Sequence, residues 1–348
     1  MSATGGNTTS GAAPAEALAP FGPRPPWLSK HLQALAAAHA SGRMPHALLI
    51  HEAPGAGGEW LAIWTAQLLL CARAAPPCGV CVACRRVAAL QHPDLTLLRP
   101  LDNSQQLRIE QVRELSQELA LTSHGGGYKV ALVSPADALN RFAANALLKT
   151  LEEPPARTLL VLVAVSPGRL PATVLSRCQR LRIAAPARAE ALEWLTAARG
   201  PGAWEGALDA LGEAPLLAAQ SDPAAVAQIA TEARHTLEAL AQGAADPVAA
   251  AEGWARSELP LRLRCFENWL TERIHRSGRD AAFFTEVRPA PYLSGVGAFL
   301  NIRELFGLVD QVRELRATFD VPLNRGLALE ALFRRLTPPQ RERGRGQG

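Results

Sequence analysis

The pattern of the chain changes once, and that change constrains its fold more than any other feature. Between His46 and Ile183 five short apolar runs, His46–Ile50, Leu95–Leu98, Val130–Val133, Leu159–Val165 and Leu181–Ile183, alternate with stretches of helical periodicity. Runs this short, separated by amphipathic helices, predict the buried strands of a parallel sheet covered by helices. One helix is marked by Ile109, Val112, Leu115 and Leu119, with Glu110, Arg113, Glu114 and Gln117 on its other faces. A second is expected over Ala136–Glu152, with Ala144, Leu147, Leu148 and Leu151 on one face and Pro154–Pro155 as its stop. After Ile183 the strand signals cease. The chain then reads as Ala/Leu-rich helix to about Leu336, interrupted at Gly200–Gly202, Gly243–Pro247 and Ser277–Gly278. Stripes at Ile302, Leu305, Val309 and Val312, and at Leu329, Leu332, Phe333 and Leu336, predict an all-helical C-terminal domain.

At 348 residues the chain exceeds the size of one hydrophobic core, so two or three domains are expected. Residues 1–20, rich in Gly, Ala and small polar side chains, read as a flexible tail, and 338–348 as a frayed basic one. The net charge is only +4 with acids and bases interspersed, so composition does not demand a nucleic-acid partner. No apolar run approaches the ~20 residues that span a bilayer, and the first residues lack a secretory pattern. A cytoplasmic, non-membrane protein is expected. In a reducing compartment six cysteines point to metal binding or burial rather than to disulfides.

The segment His46 to Trp60 has the layout of a strand, a phosphate-binding loop and a helix start. A working loop needs Gly-x-x-x-x-Gly-Lys-Ser/Thr: backbone N–H groups surround the phosphates, Lys neutralises them and the hydroxyl holds Mg²⁺. With Gly57 at the second glycine position, the first falls on Glu52, the lysine on Gly58 and the hydroxyl on Glu59, and Gly55 lies between. Two carboxylates there would repel a triphosphate, so the loop is expected to be structural and to bind no ATP. The other half of such a site is a strand ending in an acidic pair. Here Val130–Val133 runs into Ser134 and Pro135, and Asp137 reads as a helix cap or first-turn acid rather than a metal ligand.

Cys71, Cys78, Cys81 and Cys84 form C-x6-C-x2-C-x2-C around Pro76–Pro77 and Gly79. Four thiolates in so short a span can close a tetrahedral Zn²⁺ site with no position left for water, which indicates a structural zinc; packing as small apolar groups is the alternative. Cys178 and Cys265 read as buried structural thiols. Arg177, in Leu175-Ser176-Arg177-Cys178, precedes the fifth run. An arginine at the end of a rigid element can reach across a subunit boundary to a γ-phosphate, although an isolated arginine is more often a surface ion-pair partner.

Two longer strings raise Arg177 above that background. Ala144-Asn-Ala-Leu-Leu-Lys-Thr-Leu-Glu-Glu-Pro-Pro155 and Leu170-Pro-Ala-Thr-Val-Leu-Ser-Arg-Cys178 closely resemble stretches of the bacterial DNA polymerase III clamp-loader subunits, an AAA+ family. The inserted cysteines and Arg108-Ile-Glu-Gln-Val-Arg-Glu-Leu115 are similar to that family too. The resemblance covers Trp27 to Ile183 well and the helical remainder loosely, through Asn324-Arg-Gly-Leu-Ala-Leu-Glu. In that family gamma/tau subunits keep the phosphate loop and acidic pair, whereas delta-prime subunits typically lose them and retain Ser-Arg-Cys; this chain follows the second pattern.

The resemblance implies an AAA+ α/β domain over 21–185, with a five-stranded parallel sheet, helices on both faces and a zinc module at 71–84. It further implies a small helical lid domain over 186–242 and an all-α collar over 243–337. It implies no intrinsic catalysis within a polymerase holoenzyme, with Arg177 as a finger offered in trans to ATP on a neighbouring subunit. The implied partners are gamma/tau and delta subunits in a hetero-pentamer and, through it, the sliding clamp and primed DNA, with nucleoid association through the replisome. Two other readings stand beside it. One is an active AAA+ ATPase of gamma/tau type, opposed by the missing Lys and acids. The other is a zinc-dependent nucleic-acid-binding module using Arg85 and Arg86, opposed by the lack of a basic stripe with interleaved aromatics.

Overall fold

The computed structural model describes residues 17–18, 22–101, 104, 106–281, 302–317 and 324–338. The chain forms two compact units, 1–200 with 214–220 and 201–213 with 221–348. Of the N-terminal stretch read as a tail, Ala17–Leu18 pairs antiparallel with Gly22–Pro23, and the rest lies outside the described residues, as does 339–348.

The first unit is built on five parallel strands: β1 (Ala47–Glu52), β2 (Leu95–Leu98), β3 (Lys129–Val133), β4 (Thr158–Ala164) and β5 (Gln179–Ile183). Their order is β2-β3-β4-β1-β5, and each falls within two residues of an apolar run in the sequence. The central strands are apolar at nearly every position because both faces are covered, as a parallel sheet requires. Ala47, Leu49, Ala131, Val133, Leu160 and Leu162 face one layer, where α4 (Ile109–Ala120) and α5 (Arg141–Glu152) supply Val112, Leu115, Leu119, Ala144, Leu147 and Leu151. The alternate residues Leu48, Ile50, Val130, Leu132, Val161 and Val163 are equally buried, and α2 (Gly58–Leu70) packs against β1, β3 and β4. That helix is buried along almost its whole length, including Thr65 and Gln67, which explains why its sequence is apolar at most other positions. The unit also holds α1 (Ser29–Ala40), α3 (Val82–Ala88), α6 (Ala172–Leu175), α7 (Arg188–Arg199) and α9 (Pro215–Ala218).

The helix expected over Ala136–Glu152 begins later. A single 3₁₀ turn, Ala136–Ala138, is followed by extended backbone at Leu139, which bridges Leu107; α5 starts at Arg141. The reason is local: the side chain of Asn140 accepts the N–H of Ala143 at 2.9 Å, a side-chain N-cap that fixes the helix start.

The second unit is helical: α8 (Trp204–Leu211), α10 (Pro223–Ala241), α11 (Pro247–Arg256), α12 (Leu259–Ala281), α13 (Ile302–Ala317) and α14 (Arg325–Leu336). In its core Trp254 meets Phe266 and Phe333 edge to face, with Trp254 and Phe333 centroids 5.0 Å apart, while Phe266 and Phe333 lie tilted to each other. The breaks at Gly200 and Gly243 are real, each glycine taking positive φ at or just past a helix end. Ser277–Gly278 is not a break: α12 continues through it, since one glycine costs only about 1 kcal/mol against a helix of this length. Leu305, Val309 and Val312 are buried as expected. Ile302 is exposed because it is the first residue of α13, and Leu308 takes a buried position in the stripe.

Candidate functional site

At the end of β1 the chain makes a tight loop into α2. Gly55 has φ +64° and Gly57, the N-cap of α2, has φ +105°, conformations that side chains other than glycine's tolerate poorly. Such a loop aims successive N–H groups into a concavity that ordinarily receives an anion. Here the anion is supplied from within. The carboxylate of Glu52, on the last residue of β1, turns back so that Oε2 accepts the N–H groups of Gly57 at 2.9 Å and Gly58 at 2.6 Å. Burial pushes the Glu52 carboxyl up, with the neighbouring Asp137 charge adding to it, while the loop N–H groups pull the other way; the net direction is upward.

The loop is also covered from outside. Trp27 Nε1 donates to Ala56 O at 2.7 Å, and Leu216 N donates to Gly55 O at 3.1 Å. A Cβ placed on Gly55 would stand 2.7 Å from Ala214 Cβ, and one on Gly57 would stand 3.1 Å from Leu28 Cδ1. At Gly58, where a phosphate loop carries its lysine, a Cβ would meet Glu52 Cδ at 2.7 Å and Val163 Cγ1 at 2.9 Å. Glycine at 58 is thus the complement of glutamate at 52.

Glu59 occupies the place of the magnesium-binding hydroxyl. It accepts from Ser134 Oγ at 3.2 Å and forms an ion pair with Arg99. Ser134 follows the last residue of β3, so the loop–helix start and the end of that strand are bonded to each other. Asp137 caps no α-helix; it sits in the 3₁₀ turn and accepts the N–H of Ser166 through Oδ2 at 3.0 Å.

Arg177 lies in the turn between α6 and β5. Its Nη1 donates to Thr173 O at 2.9 Å, and its Nη2 pairs with Glu152 Oε1 at 2.7 Å, at the end of α5. Nη1 also donates to Ser176 Oγ at 3.3 Å, and the side chain of Arg177 is 35% exposed and that of Glu152 50%. Neighbouring Cys178 is buried, as Cys265 is; burial pushes both thiols up to about 11.

The four cysteines close on themselves between α2 and α3. Their sulfurs all lie within 4.8 Å of one another, with Cys71–Cys81 and Cys78–Cys84 both at 4.0 Å. Zn–S bonds of about 2.3 Å in a tetrahedron put sulfurs roughly 3.8 Å apart, so the donor set fits a metal of that kind. The N–H groups of Cys81 and Cys84 point at the sulfurs of Cys78 and Cys81, both at 3.4 Å. Burial opposes ionisation of Cys81, but the N–H groups of Cys84 and Ala72 and the adjacent thiols outweigh it and bring its thiol down to about 6. Burial pushes the Cys84 thiol up. Gln67, from α2, donates to Cys84 O at 2.9 Å and ties the knuckle to the core.

The chain is similar to known subunits of DNA polymerase III. The DNA polymerase III subunit delta′ of Pseudomonas aeruginosa is 40% identical over 233 residues, 64% of this chain and 70% of the relative. That of Escherichia coli K12 is 33% identical over 299 residues, 84% of this chain and 88% of the relative. The chain belongs to the DNA polymerase III delta′ family. A family model described as DNA polymerase III, delta subunit, matches residues 27–187, the part of this delta′ family member that holds the loop, the four cysteines and Arg177. DNA polymerase III subunit tau of Salmonella typhimurium is 36% identical over 156 residues, 44% of this chain and 24% of the relative.

Sequence reasoning located Glu52, Gly55, Gly57, Gly58 and Glu59 at the loop, Cys71, Cys78, Cys81 and Cys84 at the knuckle, and Arg177 at its turn. It did not foresee that Glu52 fills the loop, nor the parts of Arg99, Trp27, Leu216 and Glu152. Trp27, Arg99 and Leu216 carry no motif. Glu152 lies inside a quoted string, but nothing in its spacing links it to Arg177.

Proposed function

We propose that this delta′ family member is a non-hydrolysing subunit of the DNA polymerase III clamp loader, acting on ATP held by a neighbour rather than by itself. The observation that supports this is the internal engagement of its own phosphate loop: Glu52 on the loop N–H groups, and Glu59 on Ser134 and Arg99. A triphosphate would have to displace a carboxylate already bonded there and would find no lysine to replace it. Arg177, partly exposed and held by a half-exposed glutamate, is the finger given in trans to a γ-phosphate on an adjacent gamma/tau subunit.

The remaining parts follow the family resemblance. The chain carries a helical lid over 186–242, and a collar over 243–337 holds it in a hetero-pentamer with gamma/tau and delta, which loads the sliding clamp on primed DNA. The work is cytoplasmic, at the nucleoid. Among the described residues no helix is long and apolar enough to cross a membrane. Cys71, Cys78, Cys81 and Cys84 hold a structural zinc, whose closed ligand set supplies stability and no reactive water.

Calorimetry of the isolated chain with Mg-ATP tests the central claim, with no heat of binding and no phosphate release expected. Micromolar affinity would return the chain to the ATPase class. Co-purification with gamma/tau and delta tests the assembly, and metal analysis should find one zinc per chain.

A further inference from the structure

We infer that the phosphate loop of this chain has not simply decayed but remains an intact oxyanion site whose ligand is internal: the Glu52 carboxylate takes the phosphate's place and orders the loop without nucleotide. A loop that had merely lost its ligand would leave N–H groups unpaired, at a free-energy cost, or would relax to another shape. This one does neither. Its two glycines keep positive φ, its two inward N–H groups end on one carboxylate oxygen, and Gly58, facing the carboxylate carbon and its other oxygen, has no side chain. Three features of the sequence match one another only if Glu52 is a ligand: glutamate at 52, the turn glycines at 55 and 57, and glycine at 58, where any Cβ would collide with the glutamate.

The order so produced reaches further than the loop. Gly55 offers its carbonyl to Leu216 N, and Ala214 packs against the Cα of Gly55 with no room for a methyl group. Ala56 offers its carbonyl to Trp27, whose ring stacks edge-on against Trp194, centroids 5.4 Å apart. In an enzyme of this loop type such neighbours could be set by the arrival and departure of nucleotide. With the ligand built in they are set permanently, which gives a subunit fixed in one loop state. This deepens the reading that the chain binds no ATP, and it is tested separately.

Glu52→Ala in the full chain leaves two N–H groups around a carboxylate-sized space. Its melting temperature is expected to fall by about 3–8 °C. Sodium formate or acetate should restore at least half of that loss relative to sodium chloride at equal ionic strength, and should leave the unmodified chain unchanged. Glu52→Gln, whose amide oxygen can accept the same N–H groups, should lose less and ignore formate. Where Glu52→Ala does not fold, hydrogen exchange of the Gly57 and Gly58 amides in the unmodified chain decides: slow exchange without nucleotide supports the inference, and exchange as fast as an open loop overturns it. An alanine variant as stable as the parent and indifferent to formate also overturns it. If the unmodified chain binds Mg-ATP, the reading of function fails; if it does not, yet the alanine variant is silent, only this inference fails.

Discussion

The phosphate loop and the Arg177 corner belong to the same α/β unit, and both place a glutamate on a donor, yet they satisfy it in opposite ways. Glu52 bonds backbone N–H groups in a site covered by Trp27, Leu28, Ala214 and Leu216, so its partners cannot move away. Glu152 bonds another side chain, and both partners are partly exposed. Backbone partners fix a geometry, whereas an exposed pair of side chains is worth about 0–1 kcal/mol and yields to a competing ligand. The loop is therefore bonded internally through backbone groups, whereas Arg177 is held by a half-exposed side-chain pair.

The largest test of that contrast is Arg177→Ala in a reconstituted loader. Assembly should be unchanged by gel filtration, while DNA-stimulated ATPase falls about tenfold or more. An unaltered rate would break the comparison, since the half-exposed pair would then have no function. Next is Gly58→Lys, which returns the lysine of a phosphate loop. Its Cβ would press on Glu52 and Val163, so the variant should lose about 1–3 kcal/mol in a denaturant melt and still bind no Mg-ATP. Gain of ATP affinity from this change alone would show that the loop is not closed.

A smaller effect is carried by protons. Burial, with Asp137 nearby, raises the Glu52 carboxyl above its ordinary 4.5, so the folded chain holds this proton more tightly than the unfolded one. The contribution of that proton is full below about pH 4.5 and is lost as pH rises through the folded value. Glu52→Gln should flatten this part of the stability profile; an identical profile would remove Glu52 as its source. The smallest effect is expected from Glu152→Gln, which frees one edge of Arg177. Loader ATPase should change by no more than about fivefold, less at high salt, and not at all once Arg177 is alanine. A loss as large as that of Arg177→Ala would make the half-exposed corner as tightly built as the loop.

Much of this was legible beforehand, for reasons that differ by element. The five strands could be read because a sheet covered on both faces needs short, unbroken apolar runs. The clustering of the four cysteines could be read because they lie close along the chain. The start of α5 was misplaced because a cap by Asn140 competes with helical periodicity over Ala136–Leu139, and periodicity has no means to express that competition. Ile302 was assigned to a buried stripe that begins a turn later.

What the sequence determined by itself was which groups are present: no lysine at 58, Ser134 and Pro135 rather than an acidic pair directly after Val133, four clustered thiols and an arginine at 177. Those are facts of composition at aligned positions, and local spacing suffices to see them. What only the tertiary structure decided was which of these groups are spent on one another. Glu52 meets Gly57 and Gly58 because the loop folds back on the strand that precedes it. Glu59 reaches Ser134 and Arg99, and Glu152 reaches Arg177, only after strands and helices distant in the chain are laid side by side. Pairings of that kind depend on three-dimensional distance, which hydrophobic periodicity does not encode.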